Sequence, residues 1–427
     1  MFIFRYNEPG YSEFVATLHR RAVPERDLAK TVASILEGVQ ANGDDALIKY
    51  AKKFDAHTLT AETLTIDPAE IRRARVDDTT EAALQAAHRN ITRFARRSMR
   101  RAWSGRNFEG TEVGERFDPL PRVGIYVPAG TAPLASTVLM TATLAQAVGV
   151  PEIVITTPCD KRGEFSAAVL RAMAITGVQE AYGIGGAQAI AALAYGTETI
   201  RPVAKIFGPG NRYVVEAKRQ LFGIVGVDLL PGPSEILIIA DSGANPAWIA
   251  ADLLAQAEHG AGSAAGFLTP SPGLLRKVEA ELERQAADCE RQAHLQPVLE
   301  SGCFLLLTAD MEQAVQIANA YAPEHLTLVT TDDDKWAEQI STSGAIFLGP
   351  YSPVAGGDFL AGPSHELPTG GAGKSFSGLT VDQFQRRTSI VRFTPRSLKK
   401  SIPHIEAFAR LEGLDAHGKS AAIRVET

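Results

Sequence analysis

The chain has 427 residues, of which 45% are hydrophobic and 22% charged, and its formal net charge is −6. This length and composition predict a globular protein with at least two cores. The acidic balance argues against nucleic acid as a partner, and no apolar run is long enough to span a membrane. Three cysteines without a CxxC pair are typical of a reduced, cytoplasmic protein.

Residues 1–23 form a short arm that is too small to bury a core of its own, so we expect it to pack on something else, such as a second subunit. Apolar residues with helical spacing follow at 29–54 and 69–103. The second of these segments contains the basic run RFARRSMRR. We interpret that run as a solvated helix face in preference to a site for a polyanion.

From residue 121 onwards, buried strands alternate with helices, which predicts a parallel, doubly wound sheet with a ligand at the carboxyl ends of its strands. Two glycine-containing turns, at 183–188 and 208–211, each follow a strand and open a helix. Free N–H groups at such turns can hold an anionic group. Neither turn is a GxGxxG fingerprint, so each is equally compatible with a plain connection.

The alternation of strands and helices resumes after residue 235. We therefore expect an inserted α/β domain at 125–235 on the cofactor side. A larger discontinuous α/β domain of 24–124 and 236–380 would carry the metal and the catalytic residues. The predicted fold class is α/β, with two Rossmann-like doubly wound domains and parallel sheets. A helical tail at 381–427 would join the N-terminal arm as a dimerisation segment.

The segment NPAWIAADLLAQAEHG at 245–260 predicts a helix with both ends marked. Asn245 can cap its start, and Gly260 stands where a left-handed C-cap belongs. Gln256 and His259 are three residues apart and share a helix face, which is a metal-ligand spacing. A histidine in a last turn is also favoured by the helix dipole alone.

Further oxygen and nitrogen donors occur later in the chain. The Gly/Pro-rich loop at 352–373 contains Asp358 and His365, and loops of this length inside a compact chain are usually functional or disordered. Asp358 offers a carboxylate, and His365 a supporting or substrate-binding role. With Gln256, His259 and the remote His417, Asp358 makes a ligand set that suits zinc. A ligand so far along the chain makes sense if it comes from a neighbouring subunit.

Glu324 and His325 follow a helix that Pro323 stops. A carboxylate beside an imidazole suits acid–base chemistry near neutral pH, although a surface turn would look the same in sequence. Ser234 is predicted to be exposed at a bend that enters the next strand.

At these residues the chain resembles the histidinol dehydrogenase family over nearly its whole length. The motifs that carry the resemblance are GIYVPAGTAPLASTVLM, GGAQAIAALAYGTE, KIFGPGN, GPSEILIIAD, DLLAQAEHG, PEHL and SHELPTGG. By this likeness the zinc ligands are Gln256, His259, Asp358 and His417. The catalytic pair is Glu324 and His325, and the NAD contacts are Tyr126, Gln188 and Asn211. Substrate contacts are Ser234, Gln256, His259, His325, Asp358, Glu412 and His417. Ala129 and Ser364 depart from the family pattern.

The resemblance implies a four-electron oxidation of L-histidinol to L-histidine via L-histidinaldehyde, as the last step of histidine biosynthesis. It also implies one Zn²⁺ per subunit, NAD as the acceptor, and a homodimer with shared active sites, in which the tail carries Glu412 and His417 to the partner. Three alternatives stay open on the sequence: oxidation of another polar alcohol such as a sulfonated diol, a zinc hydrolase, and a non-catalytic binding module.

Overall fold

The computed structural model describes residues 1–19, 26–54, 59–129, 133–160 and 162–425. The strands are β1 Phe2–Arg5, β2 Trp103–Arg106, β3 Glu112–Pro119, β4 Arg122–Tyr126, β5 Glu152–Thr156, β6 Glu180–Tyr182, β7 Lys205–Phe207, β8 Gly226–Val227, β9 Glu235–Ala240, β10 Ala264–Thr269, β11 Cys303–Leu307, β12 His325–Val329, β13 Ala345–Leu348 and β14 Gln385–Arg392. The helices are α1 Tyr11–Thr17, α2 Arg26–Phe54, α3 Pro68–Arg73, α4 Asp78–Ser98, α5 Ala135–Val148, α6 Ala167–Ile175, α7 Gly186–Tyr195, α8 Arg212–Leu221, α9 Pro246–Ala257, α10 Pro272–Ala287, α11 Gln292–Ser301, α12 Met311–Tyr321, α13 Asp333–Ala337, α14 Val354–Gly356, α15 Pro395–Leu411 and α16 Asp415–Ala422. A π-helical turn, Gly357–Ala361, follows α14 directly.

The larger sheet has six parallel strands in the order β1-β11-β10-β9-β12-β13. Its central strand β9, EILIIA, is buried at every position because helices cover both faces. Ile236 and Ile238 pack towards α9 and α10, whereas Leu237 and Ile239 pack towards α12. The alternation follows from the two-residue repeat of a strand.

The smaller sheet has five parallel strands in the order β6-β5-β4-β7-β8. Both sheets are wound in the same way. In the smaller sheet, β4 lies between β5 and β7, and in the larger sheet, β9 lies between β10 and β12. The winding therefore reverses between β4 and β7 in the smaller sheet and between β9 and β12 in the larger one. Such switch points are where open α/β sheets bind ligands. The predicted fold class is confirmed.

Helices α2 and α4 cover the two faces of the smaller sheet. Val32 and Leu47 of α2 share a hydrophobic cluster with α7, and Leu84 and Ile91 of α4 share one with α5. Our sequence-based division had placed 24–124 with 236–380. In the structure, the apolar faces of α2 and α4 pack against the small-residue helices α7 and α5, which cover the sheet of β4 to β8.

The N-terminal arm also differs from expectation. Strand β1 pairs in parallel with β11, and Phe14 of α1 stacks on Phe4, with ring centroids 4.6 Å apart. The described part of 1–23 thus completes the larger sheet of its own chain, because its aromatic residues find a partner surface there. Residues 20–23 of this arm and 130–132 of the first motif lie outside the described residues.

The tail begins with a strand before its helices. Strand β14 lies against β3 in an antiparallel sheet of order β14-β3-β2, after which α15 and α16 pack on each other. These helices leave large apolar side chains exposed, including Phe408 at 63%, Leu411 at 79% and Ile423 at 64%. Within the described parts of the chain, no helix has the length and apolar character needed to cross a bilayer.

Candidate active site

Glu324 and His325 stand at the switch point of the larger sheet, at the amino ends of its strands. Helix α12 ends in the left-handed Ala322 (φ +54°), and the chain enters β12 at His325, which is in register with Ile236 of β9. The carboxyl-end rule used for the sequence therefore does not describe the larger sheet. The pair is held at the opposite edge, where Ser234 precedes β9.

Glu324 is buried and hydrogen-bonded. Its Oε2 accepts from Ser234 Oγ at 2.6 Å and from the backbone N–H of Glu235 at 2.8 Å. Burial raises the pKa of Glu324 to about 7, although His325 and these two donors favour the charged form. A carboxyl group that titrates near neutral pH can both take and return a proton.

His325 is oriented by its backbone neighbour. Its Nδ1 lies 3.0 Å from the carbonyl oxygen of Glu235, which leaves Nε2 facing Asp358 Oδ1 at 3.2 Å. Burial acts to lower the pKa of His325, but Asp358 and Glu324 outweigh it and raise the pKa to about 9. Among the described residues, Nε2 has no partner with good hydrogen-bond geometry, so its contact with Asp358 is electrostatic.

Gln256 and His259 lie at the end of α9. The predicted N-cap is confirmed, since Asn245 Oδ1 accepts from Ala247 N at 2.9 Å. Gly260 is left-handed as expected (φ +89°), but the C-cap is Glu258, two residues earlier. Gln256 is only 4% exposed, yet within the described chain its Nε2 has no hydrogen-bond partner. Burial lowers the pKa of His259, and the Asp358 carboxylate opposes this shift. His259, which follows α9, is therefore close enough to Asp358 of the π-helical turn for their charges to interact.

A buried amide without a partner is costly unless something binds it. Because the oxygen and nitrogen of a carboxamide exchange positions by a simple flip, Gln256 can equally present its oxygen to a cation. The predicted donors Gln256, His259 and Asp358 supply an amide, an imidazole and a carboxylate, a set compatible with zinc.

Glu412 and His417 lie elsewhere in the chain, at the junction of α15 and α16. Both are exposed and line a cavity of about 440 Å³ formed mainly by the tail itself. Within the part of the chain that the structure describes, no three His, Cys, Asp or Glu side chains are placed to hold a metal ion. A single chain thus brings together part of the predicted ligand set, and His417 is not near it.

Residues of the loop that follows α14 contact the backbone of Asp358. His365 Nδ1 lies 2.9 Å from the backbone oxygen of Asp358, and its Nε2 lies 3.6 Å from Glu366. Ser364 accepts from Glu366 N at 3.2 Å. Asp358, Ser364 and His365 also line a cavity of about 590 Å³. His365 therefore fits the supporting role better than direct contact with a substrate.

The predicted cofactor residues gather at the other switch point, at the carboxyl end of β4. The hydroxyl of Tyr126 accepts from Gly186 N at 3.1 Å, and Gln188 is buried in the first turn of α7. Asn211 caps α8 by accepting from Tyr213 N at 3.0 Å. Between them, Gly208 has φ +105°, and a Cβ there would lie 2.1 Å from Tyr126 O. Glycine is required for this close approach.

Sequence reasoning missed three buried charged residues: Glu235, Lys218 and Asp228. The side chain of Glu235 accepts from Gly370 N at 3.0 Å and so ties the 352–373 loop to β9. Lys218 and Asp228 form a buried ion pair below Gly208. A helical lysine normally indicates a solvated face, so neither periodicity nor spacing identifies such a pair in advance.

Comparisons with known proteins find relatives that match nearly the whole chain. A sequence model described as histidinol dehydrogenase matches residues 18–425. The histidinol dehydrogenase of Heliobacterium mobile is 41% identical over 411 residues, covering 96% of this chain and 96% of the relative. That of a Synechococcus strain is 43% identical, covering 96% and 94%. A crystal structure of histidinol dehydrogenase from Elizabethkingia anophelis superimposes with a TM-score of 0.93 at 36% identity, covering 100% of this chain and 98% of that one.

Proposed function

Since the chain belongs to the histidinol dehydrogenase family and is therefore an oxidoreductase of histidine biosynthesis, we propose that it oxidises L-histidinol to L-histidine in two NAD-dependent steps at a zinc-containing site. The observation that carries this proposal is the buried pair of Glu324 and His325 facing Asp358. Because the chain belongs to this family, two of the alternative functions, a zinc hydrolase and a non-catalytic binding module, are excluded. Family membership also favours histidinol over a sulfonated diol.

In the first step, the substrate hydroxyl gives its proton to Nε2 of His325 while a hydride leaves the carbinol carbon for NAD. The Nδ1 contact with the Glu235 carbonyl supports this role, because it fixes the ring so that in the neutral imidazole Nε2 is the nitrogen that receives the proton. The Asp358 and Glu324 carboxylates, which raise the pKa of His325, then stabilise the protonated imidazole that forms. Holding the reacting groups in line contributes on the order of 7–11 kcal/mol to such reactions. The protein supplies orientation, and NAD carries the redox chemistry.

In the second step, the aldehyde adds water and the resulting gem-diol loses a second hydride. Glu324 takes a proton from the attacking water. Burial raises its pKa towards neutrality, which supports this role because the carboxyl group can then both accept and release a proton. Ser234 donates to the same carboxylate and lies where a substrate amine could replace that contact.

Zinc would be held by Gln256, His259 and Asp358, with His417 of the partner subunit as a fourth ligand. When bound, it fixes the nitrogen atoms of the substrate and takes no part in the redox change. The unpartnered amide of Gln256 supports this ligand set. NAD would contact Tyr126, Gln188 and Asn211 at the smaller sheet.

We propose a homodimer with shared sites as the assembly. Glu412 and His417 are exposed in one chain and lie on helices with exposed apolar side chains. Docking of these helices on a second copy would bury those side chains and complete the ligand set. The carboxylate of Glu412 would then face the cationic end of L-histidinol. We place the enzyme in the cytoplasm, because three cysteines without a CxxC pair are typical of a protein in a reducing compartment.

The proposed reaction is tested by measuring how many NADH molecules form for each molecule of L-histidinol. Purified protein incubated with limiting L-histidinol and excess NAD is expected to form about two NADH per histidinol, because two hydrides leave each substrate molecule. A chelator should abolish turnover, and added Zn²⁺ should restore it. One NADH per histidinol, or full activity of protein shown to be metal-free, would contradict the proposal.

A further inference from the structure

A buried ion pair lies beneath the turn that joins β7 to α8. Lys218, on α8, is 0% exposed, and its Nζ contacts Asp228 Oδ1, whose side chain is 2% exposed. Lys205, at the start of β7, is a second largely buried lysine, and its Nζ donates to Gln383 O at 3.3 Å. None of these three residues belongs to the acid–base pair or to the metal site.

The hydrogen bonds of this pair converge on one glycine. Lys218 Nζ donates to Gly208 O at 2.6 Å, and Asp228 Oδ2 accepts from Gly208 N at 2.7 Å. Both backbone polar groups of Gly208 are thereby satisfied by charged side chains. The third contact of Lys218 is with Leu229 O at 3.3 Å. The pair thus holds the left-handed conformation that lets Gly208 approach Tyr126 so closely.

Stability alone does not account for a pair in this place. Burying two opposite charges generally costs about as much free energy as their attraction returns, and apolar residues of similar size often serve equally well. The pair is better explained by the turn at 208–211, which lies next to it. The turn 208–211 stands at the switch point of the smaller sheet, where Asn211 opens α8. In addition, Lys205 and Lys218 both interact with Asp228, so these three described residues together carry a net positive charge below the turn.

We propose that Lys218 and Asp228 are positioning residues for the cofactor: they fix the 208–211 turn, and together with Lys205 they provide a positive field for the phosphate groups of NAD. This inference rests on the proposed function, which assigns the turn to cofactor binding. The ligand class is an anionic dinucleotide, because backbone N–H groups at a helix start and a buried positive charge both favour phosphate oxygens.

The test is NAD binding by zinc-loaded, full-length protein, measured by isothermal titration calorimetry. Lys218→Met should weaken NAD binding by about tenfold or more, because a charge-assisted contact to the turn is lost. The KM for NAD should rise in parallel, while kcat at saturating NAD changes far less. The matched control is Glu216→Gln on the same helix. Glu216 bonds Arg219 and Gln220 instead of the turn, so this variant should bind NAD as the unmodified protein does.

A second variant separates positioning from folding. Lys218→Met leaves Asp228 buried without its cation, whereas Lys218→Met combined with Asp228→Asn leaves no unpaired charge. We expect the melting temperature of the double variant to return towards that of the unmodified protein while NAD binding stays weak. Recovery of both would make the pair purely structural and overturn the inference. Unchanged NAD affinity in folded Lys218→Met would also overturn it. If the unmodified protein fails to bind NAD at all, the proposed function falls as well.

Discussion

Glu324 and His325 are adjacent in the chain, but their side chains contact different kinds of group. The carboxylate is held by two neutral donors in a buried site, and burial raises its pKa to about 7. The imidazole faces carboxylates, which raise its pKa to about 9 against the effect of burial. Two titrating groups with different partners can divide the work of acid and base between them.

This division can be tested with two single substitutions. His325→Ala should lower turnover of L-histidinol by roughly 10²–10⁴, because the proton acceptor of the first oxidation is lost. Glu324→Gln keeps the contact with Ser234 possible but cannot take a proton from water. It should therefore slow oxidation of L-histidinaldehyde more than oxidation of L-histidinol. Both rates are followed by NADH absorbance with each substrate. Equal slowing of the two halves by Glu324→Gln would contradict the assignment of water activation.

The sequence identified these residues better than it described their surroundings. Pro323 and the preceding helix placed Glu324 and His325 at a turn into a strand, and the caps of α9 placed Gln256 at a helix end. Sequence spacing could not show that Glu235 holds His325 through its backbone oxygen, since any residue type supplies that group.

Helices α4 and α6 are joined by an ion pair that contains two hydrogen bonds. Glu81 receives hydrogen bonds from Arg171 Nε at 2.7 Å and from Arg171 Nη2 at 2.6 Å. These hydrogen bonds from Arg171 are the main cause that lowers the pKa of Glu81 from 4.5 to about 2. The pair joins α4, which precedes the smaller sheet in the chain, to α6, which connects two of its strands.

The lowered pKa has a consequence for stability at acid pH. Because the folded pKa lies below the unfolded value, the pair stabilises the fold above pH 4.5, and this contribution is lost as the pH falls towards 2. Glu81→Gln should therefore be less stable than the unmodified protein at pH 6, with a difference that shrinks at pH 3.5. Urea unfolding of metal-free protein measures both differences. Glu70→Gln, at an exposed carboxylate on α3, is the control. A difference independent of pH would contradict the role of the ion pair.

Strand β1 and helix α2 show why the arrangement of elements was harder to predict than the elements themselves. The apolar pattern of α2 correctly predicted a helix, but the same pattern would suit either sheet. Its partner is settled by shape, since small alanine side chains on α7 admit α2 closely. The strand at Phe2–Arg5 is similarly defined by the open edge of β11, a surface created only when distant segments fold together.

At the scale of the whole molecule, two sheets of the same winding use opposite edges. The smaller sheet presents the carboxyl ends of β4 and β7, and the larger sheet presents the amino ends of β9 and β12. The tail residues Glu412 and His417 line a separate cavity in a single chain, so the shared site that we propose would take them from a second copy.

Mixing two inactive variants tests this sharing most directly. His325→Ala disables the core of the site, and His417→Ala disables the tail. If tails are exchanged, a heterodimer of the two variants has one site with both defects and one intact site. Unfolding and refolding the variants together should then restore about a quarter of normal turnover, since half of the dimers are mixed and each has one working site. Each variant refolded alone should stay inactive. If the mixture stays as inactive as its parents although mass spectrometry shows heterodimers, each chain builds its own site and the shared site is wrong.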